Sequence, residues 1–376
     1  MRIIEEEQLD FDDVAIQPKR SLLNSRSEVE IWRTLKWKSL AGNEHALTCK
    51  PVISAIMTTV GTPHMAYELA TRGYLASIEK HIGPDDIHKL YCRLEDKALD
   101  EGKARTFYTS KVCLCVGLND SLDTIKDVMK SHLVNIVHVD CPNAYIPNFK
   151  KRVAEVRSLL PEAFLIAGVV VTSDLTTDLV NLGVNCVSLG ICAGSVCKTT
   201  ERTAVRRPLL SMIVDCADAA HQQNAYVLVS GGIRNCHDAC IAFGGGCDIL
   251  MTGSLLAGTD EADGEVVEKK YLTNELDNDG QQVVAVKKFK KYFGMASKHA
   301  MKLYNVDGSY KTDEGRMKLV PYVGPLDGVL QQLEGGLKSM MCFIGARSLK
   351  EVPKKTTFYK VHHGLNDKFL NCEDFN

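Results

Sequence analysis

Eight short apolar runs, at residues 51–55, 74–78, 112–116, 135–139, 164–168, 186–190, 226–230 and 248–252, punctuate the first two thirds of the chain. Between them the patterning predicts helices over 64–71, 121–131, 148–160, 173–182, 208–223 and 236–243. The runs are apolar almost throughout, with little polar alternation. A strand of that kind is buried on both faces, as in a parallel sheet covered by its own crossover helices. Eight such units favour a closed (β/α)8 barrel over an open doubly wound sheet.

The barrel is expected to end near Gly258. The charged stretch 260–294 has Asn278-Asp279-Gly280 between two polar-apolar runs and reads as a hairpin extension. Residues 311–321 are poor in large apolar side chains and read as a mobile flap. A helix is predicted over 326–338, with Gly335-Gly336 near its end, then a tail beyond Lys354 that packs on the barrel's outside or on a neighbour. The expected organisation is one (β/α)8 barrel domain over 1–376, with a flap at about 260–325 and no inserted regulatory module.

Net charge is -2 and the pI about 6.6, so no global basic field points to nucleic acid. The cluster Lys287-Lys288-Phe289-Lys290-Lys291 reads as a solvated helix face. Fourteen cysteines are scattered through apolar segments, as expected of small buried hydrophobes in a reducing compartment. Cys113/Cys115 and Cys236/Cys240, the latter beside His237, do not complete a zinc set and read as structural. With no membrane-length apolar stretch and no leader pattern, the expectation is a soluble, cytoplasmic protein.

In a barrel, chemistry gathers where strands end at the C-terminal face. That rule selects Met57-Thr58-Thr59, Lys80-His81, Asp140 with Asn143 and Tyr145, Gly168-Val169-Val170, Cys197 with Thr199, Ser230-Gly231-Gly232, and Gly253-Ser254. The loop Gly190 to Thr200 is rich in small residues and presents Cys197 after a strand, with the Thr199 hydroxyl two residues on. That layout suits a nucleophilic thiol with a proton handler. The two glycine-bearing turns after the last strands suit a phosphate. Taken singly, each has a plainer reading: a turn, a buried thiol, or a capping carboxylate.

Longer motifs carry a resemblance. They are Phe11-Asp12-Asp13-Val14, Pro18-Lys19-Arg20-Ser21, Ser25-Arg26-Ser27-Glu28-Val29, Gly194-Ser195-Val196-Cys197 with Thr199, and Cys216-Ala217-Asp218-Ala219-Ala220-His221. Leu256-Ala257-Gly258, Gly294-Met295, Gly335-Gly336-Leu337-Lys338-Ser339, Gly345-Ala346 and Leu349-Lys350-Glu351 continue it. Through them the chain resembles the IMP dehydrogenase/GMP reductase family, as a divergent member of its GMP reductase branch, over almost its whole length. Only about thirty residues separate Lys80 from Val112, too few for the regulatory module that the dehydrogenases carry there.

The resemblance implies NADPH-dependent reduction of GMP to IMP and ammonia by a homotetramer. Cys197 is then the nucleophile, and Thr199 and Glu314 the proton-handling pair. Ser230, Gly231, Gly232, Gly253, Ser254, Gly294 and Met295 fall at the purine nucleotide, and Ser25, Arg26, Lys80, Asp140 and Ser339 at the cofactor. The family's loop also binds a monovalent cation such as K+, which places Gly194 and Cys197 as candidate ligands.

Departures from the pattern cluster around the substrate. Ser230 stands where the family has an aspartate for the ribose hydroxyls, and Ile56, Thr58 and Val169 replace Asn, Asp and Asn. Cys192-Ala193 replaces Gly-Pro in the cation loop, and Thr200 replaces an Arg. Two readings therefore stay open beside the simple one: a reductase with shifted purine nucleotide specificity, and a catalytically impaired paralogue that binds nucleotide as a regulatory or oligomer partner. A dehydrogenase turning IMP into XMP would need an Arg-Tyr flap motif, and Tyr310-Lys311 does not supply it.

Overall fold

The computed structural model describes residues 3–191, 193–276, 281–294, 297, 300, 302 and 314–361. Eight parallel strands form the barrel: β1 (Glu44–Ser54), β2 (Tyr74–Ile78), β3 (Val112–Val116), β4 (Ile136–Asp140), β5 (Phe164–Val170), β6 (Cys186–Leu189), β7 (Tyr226–Ser230) and β8 (Ile249–Thr252). β8 pairs back onto β1 through Leu250↔Val52 and Thr252↔Ser54, which closes the cylinder. The (β/α)8 expectation holds.

The crossovers are α1 (Pro63–Thr71), α2 (Pro84–Asp100), α3 (Asp123–Val128), α4 (Pro147–Leu159), α5 (Ser173–Asn181), α6 (Leu209–His221) and α7 (Cys236–Gly244). Their starts are written locally. Thr62 caps α1 by accepting the Met65 amide, with Pro63 at the first turn, and Asn235 caps α7 by accepting that of Asp238. Helix α2 went unread in the sequence. Its buried Ile87, Leu90, Tyr91, Leu94 and Ala98 keep helical spacing among charged neighbours.

Apolar side chains form two cores. The larger lies between strands and helices; the smaller fills the barrel and includes Ile53, Leu75, Cys113, Ile136, Ile166 and Leu228. Cys113 and Cys115 both point inward, as their alternation predicts. An N-terminal strand, Arg33–Lys38, pairs antiparallel with the first half of β1 and stoppers the lower end of the barrel with Leu35 and Trp37.

Beyond β8 the chain leaves the barrel as β9 (Val266–Leu276) and β10 (Gln282–Phe293), an antiparallel hairpin. The predicted Asn278-Asp279-Gly280 turn lies outside the described residues. Met317–Pro321 is not a loose flap: as β11 it adds a third strand through Phe293↔Met317 and Phe289↔Pro321. The lysine cluster is not on a helix. It alternates along β10, and Lys290 is buried, donating from Nζ to the carbonyls of Thr259 (2.7 Å) and Ala262 (2.6 Å). A buried ammonium with carbonyl acceptors roots the hairpin on the barrel rim.

The helix predicted to stop at 338 runs on as α8 (Leu326–Ile344). Gly335 and Gly336 are accommodated within it, and it ends instead at Gly345, whose φ of 73° suits a left-handed terminus. The tail pairs Phe358–Lys360 with Val14–Ile16 on the outside of the barrel. No described helix is long and apolar enough to cross a membrane.

Candidate active site

The C-terminal ends of β6, β7 and β8 meet the root of the hairpin. After β6, Gly190 takes a φ of 123°, and a Cβ there would press on the Ser230 carbonyl at 2.5 Å. The loop then turns tightly, with the Cys197 amide donating to the Gly194 carbonyl at 3.0 Å. Cys197 Sγ, half-buried, lies 3.2 Å from Thr199 Oγ1, and the Thr199 hydroxyl donates to Glu314 Oε2 at 2.7 Å. A thiol, a hydroxyl and a carboxylate thus stand in series, the last from 115 residues further along the chain.

Backbone pairing brings Glu314 there. Cys197 and Gly315 form an antiparallel bridge, the Lys198 amide donates to the Glu314 carbonyl at 2.6 Å, and the Arg316 amide to Val196 at 2.8 Å. Arg316 also makes an ion pair with Glu201 on the short helix Thr199–Thr203. The Gly294 amide donates to the Arg316 carbonyl at 3.1 Å, which ties the end of β10 into the same knot.

The turn after β7 backs against this loop. Gly231 has a φ of 88°, and a Cβ on it would lie 2.8 Å from the Gly194 nitrogen, so glycine permits both the turn and the approach. Gly232 follows at a φ of 81°. Ser254 Oγ donates to the Ile233 carbonyl at 3.4 Å, joining the turns after β7 and β8. Ser230, Gly231, Gly232, Gly253, Ser254 and Gly294 therefore gather around the Cys197 loop, while Met295 lies outside the described residues.

Lys80, just past β2, and Asp140, the last residue of β4, stand across the mouth. Lys80 Nζ reaches Asp120 Oδ1 at 3.4 Å, and the other Asp120 oxygen accepts the Gly117 amide at 2.7 Å. Burial pushes the Asp140 carboxyl up to about 6, against the pull of the Lys80 charge.

Ser25, Arg26 and Ser339 are not brought to this face. Helix α8 starts beside Asp260 at the rim, where the Asp260 amide meets the Gly324 carbonyl at 3.0 Å, and descends past Lys50 and Tyr74, both bonded to Glu334. Ser339 lies thirteen residues below Leu326, roughly 20 Å at helical rise. Cys342, lower still, donates to the Ser25 carbonyl at 3.6 Å, and Arg26 is exposed beside it.

Sequence reasoning missed Tyr292. Its ring is 4% exposed, and its hydroxyl donates to Met57 Sδ at 2.9 Å and abuts Gly253. The signal available was an aromatic just before Gly294 on an alternating strand. Among the described residues, Asp12, His237 and Asp238 cluster within 4.8 Å, but Arg234 already bridges both carboxylates at 2.6 and 2.8 Å. Cys236 and Cys240 turn their thiols to the α8 backbone, in keeping with a structural role.

The family model for the IMP dehydrogenase/GMP reductase domain matches residues 8–366. The chain belongs to that family. It is 36% identical over 371 residues to a GMP reductase of Phytophthora infestans, an alignment spanning 98% of this chain and 94% of that protein. It is 35% identical to GMP reductases of Ascaris suum (99% of this chain, 98% of that protein) and Vibrio campbellii (98% and 99%). The Ser230 hydroxyl donates to the Met251 thioether at 3.4 Å, a weak acceptor. In the loop before Thr199 the carbonyls of Gly194 and Val196 each accept one protein amide, at 3.0 and 2.8 Å.

Proposed function

We propose that this protein is a GMP reductase, catalysing NADPH-dependent reductive deamination of GMP to IMP and ammonia through a covalent bond to Cys197. The hydrogen-bonded series Cys197, Thr199, Glu314 carries the reading. Thr199 donates to Glu314 and can accept from the thiol, so a proton leaving sulfur passes through the hydroxyl to the carboxylate. The thiolate adds to C2 of the purine and the 2-amino group departs as ammonia with a proton. The cofactor, when bound, supplies a hydride to C2; the carbon–sulfur bond then breaks and the thiolate is restored. One GMP, one NADPH and one proton give one IMP, one NADP+ and one ammonia.

The glycine turns of Gly231-Gly232 and Gly253-Ser254, with Gly294-Met295, are assigned to the nucleotide and its phosphate. Lys80 and Asp140 are assigned to the cofactor's reactive end, where charge can orient a carboxamide. Ser25, Arg26 and Ser339 stand far down the barrel wall from Cys197. They can serve its cofactor only from another copy of the chain, which supports a homo-oligomer, and the resemblance makes that a homotetramer. Reduced thiols such as Cys113, Cys186 and Cys247 support a cytoplasmic setting.

A second reading rests on Ser230. A neutral hydroxyl turned to Met251 grips ribose diols less well than a carboxylate, which weakens the hold on every purine ribonucleotide and supports the impaired, nucleotide-binding paralogue. The test is NADPH oxidation with GMP and a panel of purine nucleotides. Turnover lost in Cys197→Ala with the fold retained supports the reductase. No turnover at millimolar nucleotide, with no Cys197 adduct by mass spectrometry, overturns it.

A further inference from the structure

The barrel interior is layered, every second strand supplying one inward side chain to each layer. Just beneath the mouth one such layer is built from Ser77 on β2, His138 on β4, Ser188 on β6 and Met251 on β8. Its register is fixed by Ser77↔Cys113, Cys115↔His138, Gly168↔Ser188 and Ser230↔Met251. Ser77, His138 and Ser188 are fully buried. Both ring nitrogens of His138 and the hydroxyls of Ser77 and Ser188 have no hydrogen-bond partner among the described residues. Beside the Ser77 hydroxyl stands the Cys115 thiol, a weak partner that leaves most of its hydrogen-bonding capacity unused.

Four polar atoms in one layer cannot all go unsatisfied without a large cost. A buried donor or acceptor left unpaired costs about 1–3 kcal/mol. Below this layer the barrel is apolar, with Ile53, Ile166 and Leu228. Above it the floor of the mouth is small: Ala55, Gly168 and Ser230, with Ala55 and Ser230 partly exposed. The polar layer therefore adjoins the solvent-reached mouth on one side only.

We propose that Ser77, His138 and Ser188 form a binding site for ordered water on the barrel axis, directly under the floor that carries Ser230 and Met251. The imidazole is neutral, since burial pushes it down to about 3. It presents one donor and one acceptor, and the two hydroxyls each do both. The two ring nitrogens face apart, so one water accepts from the ring N–H and another donates to the bare nitrogen, and the serine hydroxyls help supply the two to four partners each water needs. The site is independent of the proposed reaction: it concerns the seat of the floor, not the chemistry above it.

The experiment is a crystal structure of the native, unliganded protein at a resolution that locates water, combined with urea unfolding of Ser77→Ala, Ser188→Ala and His138→Leu. The expected result is density for at least one water within about 2.6–3.2 Å of a His138 ring nitrogen and a serine hydroxyl. Each variant then loses a water ligand, and its unfolding midpoint falls. Removing a polar group that truly lacks a partner stabilises instead. No water beside His138, or midpoints that rise or stay level in the two serine variants, overturns the proposal. The density result stands even if His138→Leu fails to fold.

Discussion

Replacing Glu314 by Gln isolates the basicity of the carboxylate from its geometry. The amide oxygen of Gln can still accept the Thr199 hydroxyl that now reaches Glu314 at 2.7 Å. The segment stays in place because backbone atoms hold it, through the Cys197–Gly315 bridge and the Lys198 and Arg316 amides. What is lost is the final proton acceptor. A positioned general base is worth roughly 10²–10⁴ in rate, or about 2.7–5.5 kcal/mol of barrel-mouth transition-state stabilisation. Steady-state NADPH oxidation should show kcat down by that factor with KM for GMP little changed. An ordinary thiol ionises near about 8.5, so rising pH should recover part of the variant's rate as thiolate forms unaided. Thr199→Ser, which keeps a hydroxyl, should retain most activity, and Thr199→Ala should resemble Glu314→Gln. Native kcat in Glu314→Gln, or a loss that no increase of pH relieves, refutes the relay.

Ser230→Asp should bind GMP about fivefold to 150-fold tighter, as expected for about 1–3 kcal/mol from a charged acceptor at the ribose; titration calorimetry checks this. Asp248→Asn should lower stability by about 3–5 kcal/mol in urea titrations, because the buried carboxylate holds Arg33, His221 Nε2 at 2.8 Å and the Val227 amide at 2.8 Å. The Asp248 hydrogen bond raises the His221 pKa above its ordinary 6.5. Its share of the stability is therefore full below pH 6.5 and lost as pH climbs through the raised value, so the gap between native and Asp248→Asn should narrow on the alkaline side. Asp140 has the opposite character for a carboxylate. Its folded value of about 6 exceeds the ordinary 3.8, so the native state holds the extra proton and stability falls as pH rises between them. Asp140→Asn should be the more stable form above pH 6, with the advantage vanishing below pH 4; unfolding midpoints across that range test it.

The barrel was legible because burial on both faces leaves a signal in each strand separately. The run 112–116 is apolar at every position, and the structure buries all five residues. The hairpin was legible from its turn residues and alternation. The lysine cluster misled because charge density says nothing of direction: where β10 reaches the barrel rim Lys290 turns inward and is buried, while Lys287, Lys288 and Lys291 stay exposed. Helix α8 outran its prediction because its buried Leu337, Met340, Met341 and Ile344 keep packing past the two glycines, overriding their weak helix propensity. At the site, Cys197 and Thr199 were visible as neighbours in sequence. Glu314 was indicated only by resemblance, since an acid in a polar stretch has no local mark of a partner 115 residues away. Tyr292 was missed for the same reason: what matters about it is Met57 and Gly253, both remote in sequence.

The cross-strand contact between Cys197 and Gly315 has a consequence for biosynthesis. Translation delivers all eight barrel strands before β10, β11 or the residues that follow Gly294 exist. A cylinder folded on the ribosome therefore carries a sulfur that lacks its carboxylate, and chemical competence arrives only when the excursion returns to the rim. An N-terminal fragment ending soon after Thr252 should accordingly be inert, lacking both Glu314 and the α8 side chains that complete the larger core.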